Sequence, residues 1–182
     1  LGIGLVIGAI PLLWSFMYEY QKSRILSFFS PNADALGSGY HLAQSKISLG
    51  SGGLFGKGYM NGTQSQLDFL PENHTDFIFS AFGEEFGFIG VLILITLYVL
   101  VTLRGISISI KATDNFSRIL SGTLILTIFL YVLVNIGMVV GILPIVGAPL
   151  PFMSYGGTSM LTVFSALGII MSIKSHQRLM RK

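Results

Sequence analysis

The stretch Phe77 to Leu103, FIFSAFGEEFGFIGVLILITLYVLVTL, decides the fold. It exceeds the roughly 20 apolar residues that a helix needs to cross a hydrocarbon core, and its only charges are Glu84 and Glu85. Three other apolar segments, Leu1 to Met17, Ile119 to Gly141 and Gly156 to Ile173, have spanning length as well. The expected fold is therefore an all-α polytopic integral membrane protein with four transmembrane helices and one large external loop. All of residues 1–182 fall in a single membrane domain.

Composition agrees. The 182 residues are 52% hydrophobic and 10% charged, with mean hydropathy +0.74, whereas a soluble domain carries about 25% charged residues. Cysteine is absent, which excludes disulfides and thiolate chemistry. The net charge of +3 does not point to nucleic acid, because its placement matters more than its sum. Basic residues gather in the tail (Lys174, Arg178, Arg181, Lys182) and around the segment 104–118 (Arg104, Lys111, Arg118). The positive-inside rule makes these two regions cytoplasmic and the segments 18–76 and 142–155 external. The start at Leu1, with no basic flank, reads as the C-terminal part of a longer protein.

Between the first two spans, Tyr18 to Arg24 is a polar, aromatic boundary followed by Ile25, Leu26, Phe28 and Phe29, the pattern of a short interfacial helix. Residues 30–76 are rich in Gly, Ser, Asn and Gln, and a loop of that size is expected to be an ordered cap. Gly50 to Gly58 is no Walker A loop, since Ser51 stands where Gly is required and Gly58 where Ser or Thr is. Two readings of it remain: an anion-binding nest that uses Lys57, or plain turn glycines beside a solvated lysine. His41, His74 and His176 lack a metal-ligand spacing, so no metal site is predicted.

Asp76 ends the polar run Leu70-Pro71-Glu72-Asn73-His74-Thr75-Asp76, at the entry to the decisive stretch. A carboxylate there can cap the helix or act as a base on a substrate, and pattern alone favours the cap. On a regular helix Ser80, Gly83, Gly87 and Gly90 fall within about 40° of Asp76, a face for close helix packing or for a lipid chain. Glu84 and Glu85 would lie deeper, about 12 Å of helix rise past Asp76, where at least one must face the protein interior. Residues 135–159 form a second polar insertion, whose three prolines and five glycines break any helix. Backbone of this kind at membrane depth must be buried in protein or line a cavity.

Gly62-Thr63-Gln64-Ser65-Gln66, Phe69-Leu70-Pro71-Glu72, His74-Thr75-Asp76-Phe77 and Ser154-Tyr155-Gly156-Gly157 closely resemble the SEDS family (shape, elongation, division and sporulation), its elongation branch above all. The resemblance covers essentially the whole chain and implies the last four helices of a ten-helix fold. It implies a peptidoglycan glycosyltransferase that polymerises lipid II at the outer face of the bacterial cytoplasmic membrane. The implied partners are a class B penicillin-binding protein transpeptidase and other elongation-complex proteins. Asp76 falls on the family's essential acid, proposed to take the proton of the acceptor 4-hydroxyl in an inverting displacement. A divalent cation at the diphosphate is compatible with this chemistry.

Lys57, Gln66, Glu72 and His74 are the secondary candidates for saccharide or diphosphate binding. Glu84, Glu85, Ser154 and Tyr155 are the candidates for buried or cavity-lining polar groups. The alternatives to the polymerase are a lipid II flippase, with Glu84 and Glu85 on a transport path, and a non-enzymatic scaffold. This fragment alone is expected to be inactive.

Overall fold

The computed structural model describes residues 15–29, 38–63 and 75–180. Among these residues five helices follow one another: α1 (Glu19–Phe29), α2 (Ser38–Ser51), α3 (Ile78–Ile110), α4 (Asn115–Val140) and α5 (Gly157–Met180). Three of them, α3, α4 and α5, are long and apolar enough to cross a membrane. The span expected at Leu1 to Met17 lies almost wholly outside the described residues. The short helix expected after it is α1, where Lys22 and Glu19 pair at 3.2 Å one turn apart.

Helices α3 and α4 form an antiparallel hairpin. The polar segment expected at 104–118 shrinks to a turn at 111–114, because α3 continues to Ile110 and α4 begins at Asn115. Arg104 and Arg118 therefore ride on helices rather than in a loop. Two small residues bring the backbones together: Gly105 packs on the Ile125 side chain, and Ser109 Oγ donates to Arg118 O at 2.8 Å. Ile170 of α5 joins Ile108 and Ile125 in one buried cluster. The end of α5 thus lies at the same end of the bundle as the 111–114 turn, which gathers the basic residues there. The helix persists to Met180, past the expected boundary at Ile173.

The decisive stretch is not one straight span. Gly87 has φ 68° and ψ −168°, which breaks α3. In a continuous helix the amides of Phe88 and Ile89 would bond to the carbonyls of Glu84 and Glu85. Here the glycine-rich loop that follows α2 takes both sets of groups. Lys57 N donates to Glu84 O and Gly58 N to Glu85 O, both at 3.0 Å; Phe88 N donates to Gly53 O at 2.9 Å and Ile89 N to Leu54 O at 3.2 Å. Gly56 and Gly87 meet backbone to backbone, and a β-carbon on either would strike the other segment. Four groups freed by the break are thereby satisfied, as a chain away from water favours.

Beyond the break, residues 88–110 rise about 34 Å, enough to span alone. Before it, residues 78–86 form a folded-back arm. Phe77 and Phe79 share a buried cluster with Tyr98, Val132, Met138, Val139 and Leu150, although a straight helix would hold Phe79 about 28 Å from Tyr98. Helix α2 packs along this arm: Ser48 Oγ donates to Ser80 O at 3.2 Å, and Gly83 makes room for the Leu49 side chain. Of the two readings of the small-residue face, packing holds at Ser80, Gly83 and Gly87.

The second polar insertion re-enters the bundle. Helix α4 stops at Gly141, whose φ of 82° lets Ile142 N turn back to Gly137 O at 2.8 Å. The chain then descends until the Tyr98 hydroxyl donates to Pro151 O. Tyr98 stands about 18 Å of helix from Ile110, near the middle of the span. The segment 142–155 is irregular backbone packed against the helices, as its prolines and glycines predict.

Candidate active site

The turn carrying Asp76 is fixed by groups from two other parts of the chain. Asn135 Nδ2, on α4, donates to Asp76 O at 3.0 Å and to Ala148 O at 2.6 Å. Ser154 Oγ accepts from Leu150 N and donates to Thr75 O, both at 2.6 Å. Asn135 and Ser154 are buried; their bonds to Ala148 and Leu150 are buried as well, and those to the Asp76 turn are half-buried. Asn135 Oδ1 is buried and has no hydrogen-bond partner among the described residues.

Asn135 lies a turn and a half inside the end of α4, which sets the Asp76 turn beside the body of that helix. Glu84 and Glu85 are next to the break at Gly87, and the helix does not descend from Asp76 towards them. The N-cap position of α3 falls on Phe77, the residue after Asp76.

The Asp76 carboxylate faces Gly147 and Arg24. A β-carbon on Gly147 would lie 3.2 Å from Asp76 Oδ2 and 3.7 Å from Arg24 Nη1. Arg24 reaches across from α1, its Nη1 donating to Ile145 O at 3.0 Å. Gly147 has φ 77°, so glycine serves there both for its backbone angle and for the space it leaves. The result is a recess with a carboxylate and a guanidinium on one side of a bare backbone. Arg24, Asn135 and Gly147 were not singled out from sequence. An asparagine inside an otherwise apolar span was the available signal for Asn135.

The other candidates separate. Lys57 does not serve an open anion nest: its Nζ donates to Glu84 Oε1 at 2.6 Å and to Thr63 Oγ1 at 2.9 Å. Glu84 is completely buried and also accepts from Ser48 Oγ at 3.2 Å, Ser51 Oγ at 3.4 Å and Thr63 Oγ1 at 3.1 Å. The cation expected to come from absent spans is therefore supplied by this chain. Glu85 is half-buried. Ser154 is buried as expected, whereas Tyr155 is 82% exposed and does not join the buried polar set. It borders a depression with Ile78, Phe152, Met153 and Met160. Gln66, Glu72 and His74 lie outside the described residues.

Comparisons with known proteins fit this architecture. The family model for the cell cycle proteins FtsW, RodA and SpoVE matches residues 1–179. The chain is 51% identical over 185 residues to the peptidoglycan glycosyltransferase MrdB of Escherichia coli K12, covering 100% of this chain and 50% of that protein. To the peptidoglycan glycosyltransferase RodA of Treponema pallidum it is 46% identical over 159 residues, 87% of this chain and 36% of that one. A solved structure on the coordination of polymerization and crosslinking by a peptidoglycan synthase complex superposes with a TM-score of 0.75 at 27% identity. That match covers 97% of this chain and 49% of the other. The chain thus spans about half the length of MrdB.

Proposed function

This chain belongs to the family of FtsW, RodA and SpoVE, multi-pass membrane proteins, and from that premise we propose that its parent protein polymerises lipid II into glycan strands for cell elongation. Asp76 is the general base in this reading. The acceptor 4-hydroxyl oxygen attacks the donor's anomeric carbon, the bond from that carbon to the polyprenyl diphosphate breaks, and the hydroxyl proton passes to the Asp76 carboxylate. Configuration inverts at the anomeric carbon. Arg24 brings positive charge to the recess, where the leaving diphosphate is anionic.

One observation carries the proposal: the Asp76 turn is held through its backbone by Asn135 and Ser154, which supports a fixed place for its carboxylate. Fixed placement of a base is the main structural requirement for proton transfer at a bound hydroxyl. In the same reading the Asp76 recess opens to the outer face of the bacterial cytoplasmic membrane, and the basic end with Lys111 and Lys174 faces the cytoplasm. The clustering of those charges at one end of the bundle supports that orientation. A class B penicillin-binding protein is the proposed partner, since a structural relative comes from a complex that couples polymerization to crosslinking.

The test is the full-length protein, reconstituted with purified lipid II, wild type against Asp76→Asn. A polymerisation rate at least about 100-fold lower, with lipid II binding retained, is expected from loss of a general base. A normal rate in a folded, lipid-binding variant would overturn the assignment. Transbilayer movement of lipid II, followed in the same vesicles, tests the flippase: loss of movement with polymerisation intact would favour it.

A further inference from the structure

Building on the polymerase reading, we propose that Lys57 and Glu84 are positioning residues whose ion pair clamps the glycine-rich loop into the break at Gly87 and thereby fixes where Asp76 is presented. The break alone does not define a position. Gly87 can also adopt helical angles, and then Phe88 N and Ile89 N would recover Glu84 O and Glu85 O as partners. The loop prevents this by occupying all four groups. Asp76 stands at the far end of an arm about 16 Å long that pivots on Gly87, so small changes at the break become large displacements of the carboxylate.

What keeps the loop in place is concentrated on one side chain. Glu84 gathers Ser48 and Ser51 from α2, Thr63 from beyond the loop and Lys57 from the loop itself. Lys57 also contributes a backbone donor, bonding Glu84 twice: amide to carbonyl at 3.0 Å and ammonium to carboxylate at 2.6 Å. The ion pair therefore sits on the residue whose carbonyl the helix would reclaim on straightening. Both side chains meet at the end of the arm that carries Asp76, which is the route by which they act on it.

The experiment uses the full-length protein carrying Lys57→Ala, Glu84→Gln or the charge exchange Lys57→Glu with Glu84→Lys. Lys111→Ala, an exposed cation on the connecting turn at the other end of the bundle, is the control. The first two variants are expected to lower kcat for lipid II polymerisation at least tenfold with KM changed less than twofold, and the exchange to recover at least a third of the loss. Should Lys57→Ala fail to elute as a folded species, Lys57→Gln with Glu84→Gln replaces it under the same expectation. Unchanged kcat, or a loss confined to KM as direct substrate contact would give, overturns the proposal.

A second readout does not depend on activity. This chain has no cysteine, so Asp76→Cys can be introduced, with any cysteine elsewhere in the parent removed, and its rate of reaction with a water-soluble maleimide measured. A change of at least threefold on adding Lys57→Ala is expected; an equal rate in both backgrounds overturns positioning. If wild type makes no polymer, the functional reading fails on its own, and the maleimide rates still decide the clamp.

Discussion

Two stretches of irregular backbone enter the helical body, and they are held by different means. The loop at 53–58 is spliced into α3 by four backbone hydrogen bonds and one ion pair. The segment at 142–155 is held largely by neutral side chains, with Asn135, Ser154 and Tyr98 each bonding to a backbone carbonyl. The first device depends on the absence of side chains at Gly56 and Gly87, the second on the presence of particular ones. Both end at the Asp76 turn, one through the arm of α3 and the other by direct contact. Substitutions should therefore separate the two: at the splice by adding atoms, at the re-entrant segment by removing them.

The largest effect is expected at Gly87→Ala. Its φ of 68° with ψ −168° is a region that only glycine occupies readily, a strain of about 1–3 kcal/mol for alanine. The added methyl would also collide with Gly56 N and lie 2.7 Å from Leu54 O. Overpacking of this kind costs about 1–3 kcal/mol more. Thermal unfolding of the detergent-solubilised full-length protein should show the largest loss of the series. Gly168→Ala makes the contrast sharp, because nothing lies within 4 Å of its added methyl and α5 gains a better helix former. Equal melting temperatures for the two variants would break the account of the splice.

Asn135→Leu comes next and probes the other device. It leaves the buried Ala148 O and the half-buried Asp76 O without their donor. A buried orphaned carbonyl costs about 1–3 kcal/mol and a half-buried one less, so a loss of roughly 2–4 kcal/mol is expected in the same measurement. Polymerisation should fall with it, since the Asp76 turn loses a bond. Asn135→Asp should do no better than leucine, because a carboxylate cannot donate to two carbonyls. A stable, active Asn135→Leu protein would show that the re-entrant segment is held by something else.

Much of this arrangement was legible in the chain, and what was not has a common cause. The spans at α3, α4 and α5 follow from apolar runs, and the irregular character of 142–155 follows from Pro144, Pro149 and Pro151, since proline cannot continue a helical ladder. That at least one of Glu84 and Glu85 is buried followed from the cost of a carboxylate in an apolar helix, and the buried one is Glu84. The break at Gly87 did not follow. Gly83, Gly87 and Gly90 look alike in sequence, and only the loop 53–58, nearly thirty residues earlier, selects one of them. Lys57 misled for the same reason: among the five glycines of residues 50–58 it resembles an anion site, and its actual anion is one that no local pattern can pair with it. Boundaries at 104–118 erred because polar residues near a membrane surface remain compatible with helix, so charge marks where the lipid ends and not where the helix does.

The smallest effect is expected at Tyr98→Phe, and it is the most discriminating. The change keeps the ring in its cluster with Phe77 and Val132 and removes only the hydroxyl that donates to Pro151 O. Proline has no amide hydrogen, so this carbonyl is the one backbone group Pro151 offers, and it is buried with its residue. A loss of about 1–2 kcal/mol is expected, as for one buried hydrogen bond left half made. Because Ser154 and Asn135 still hold the Asp76 turn, polymerisation should fall less than threefold while the melting temperature drops. A large loss of activity with stability unchanged would mean that the depth of the re-entrant segment at Tyr98, more than the lock at Asn135, sets the position of Asp76. The two devices would then differ less in function than in construction.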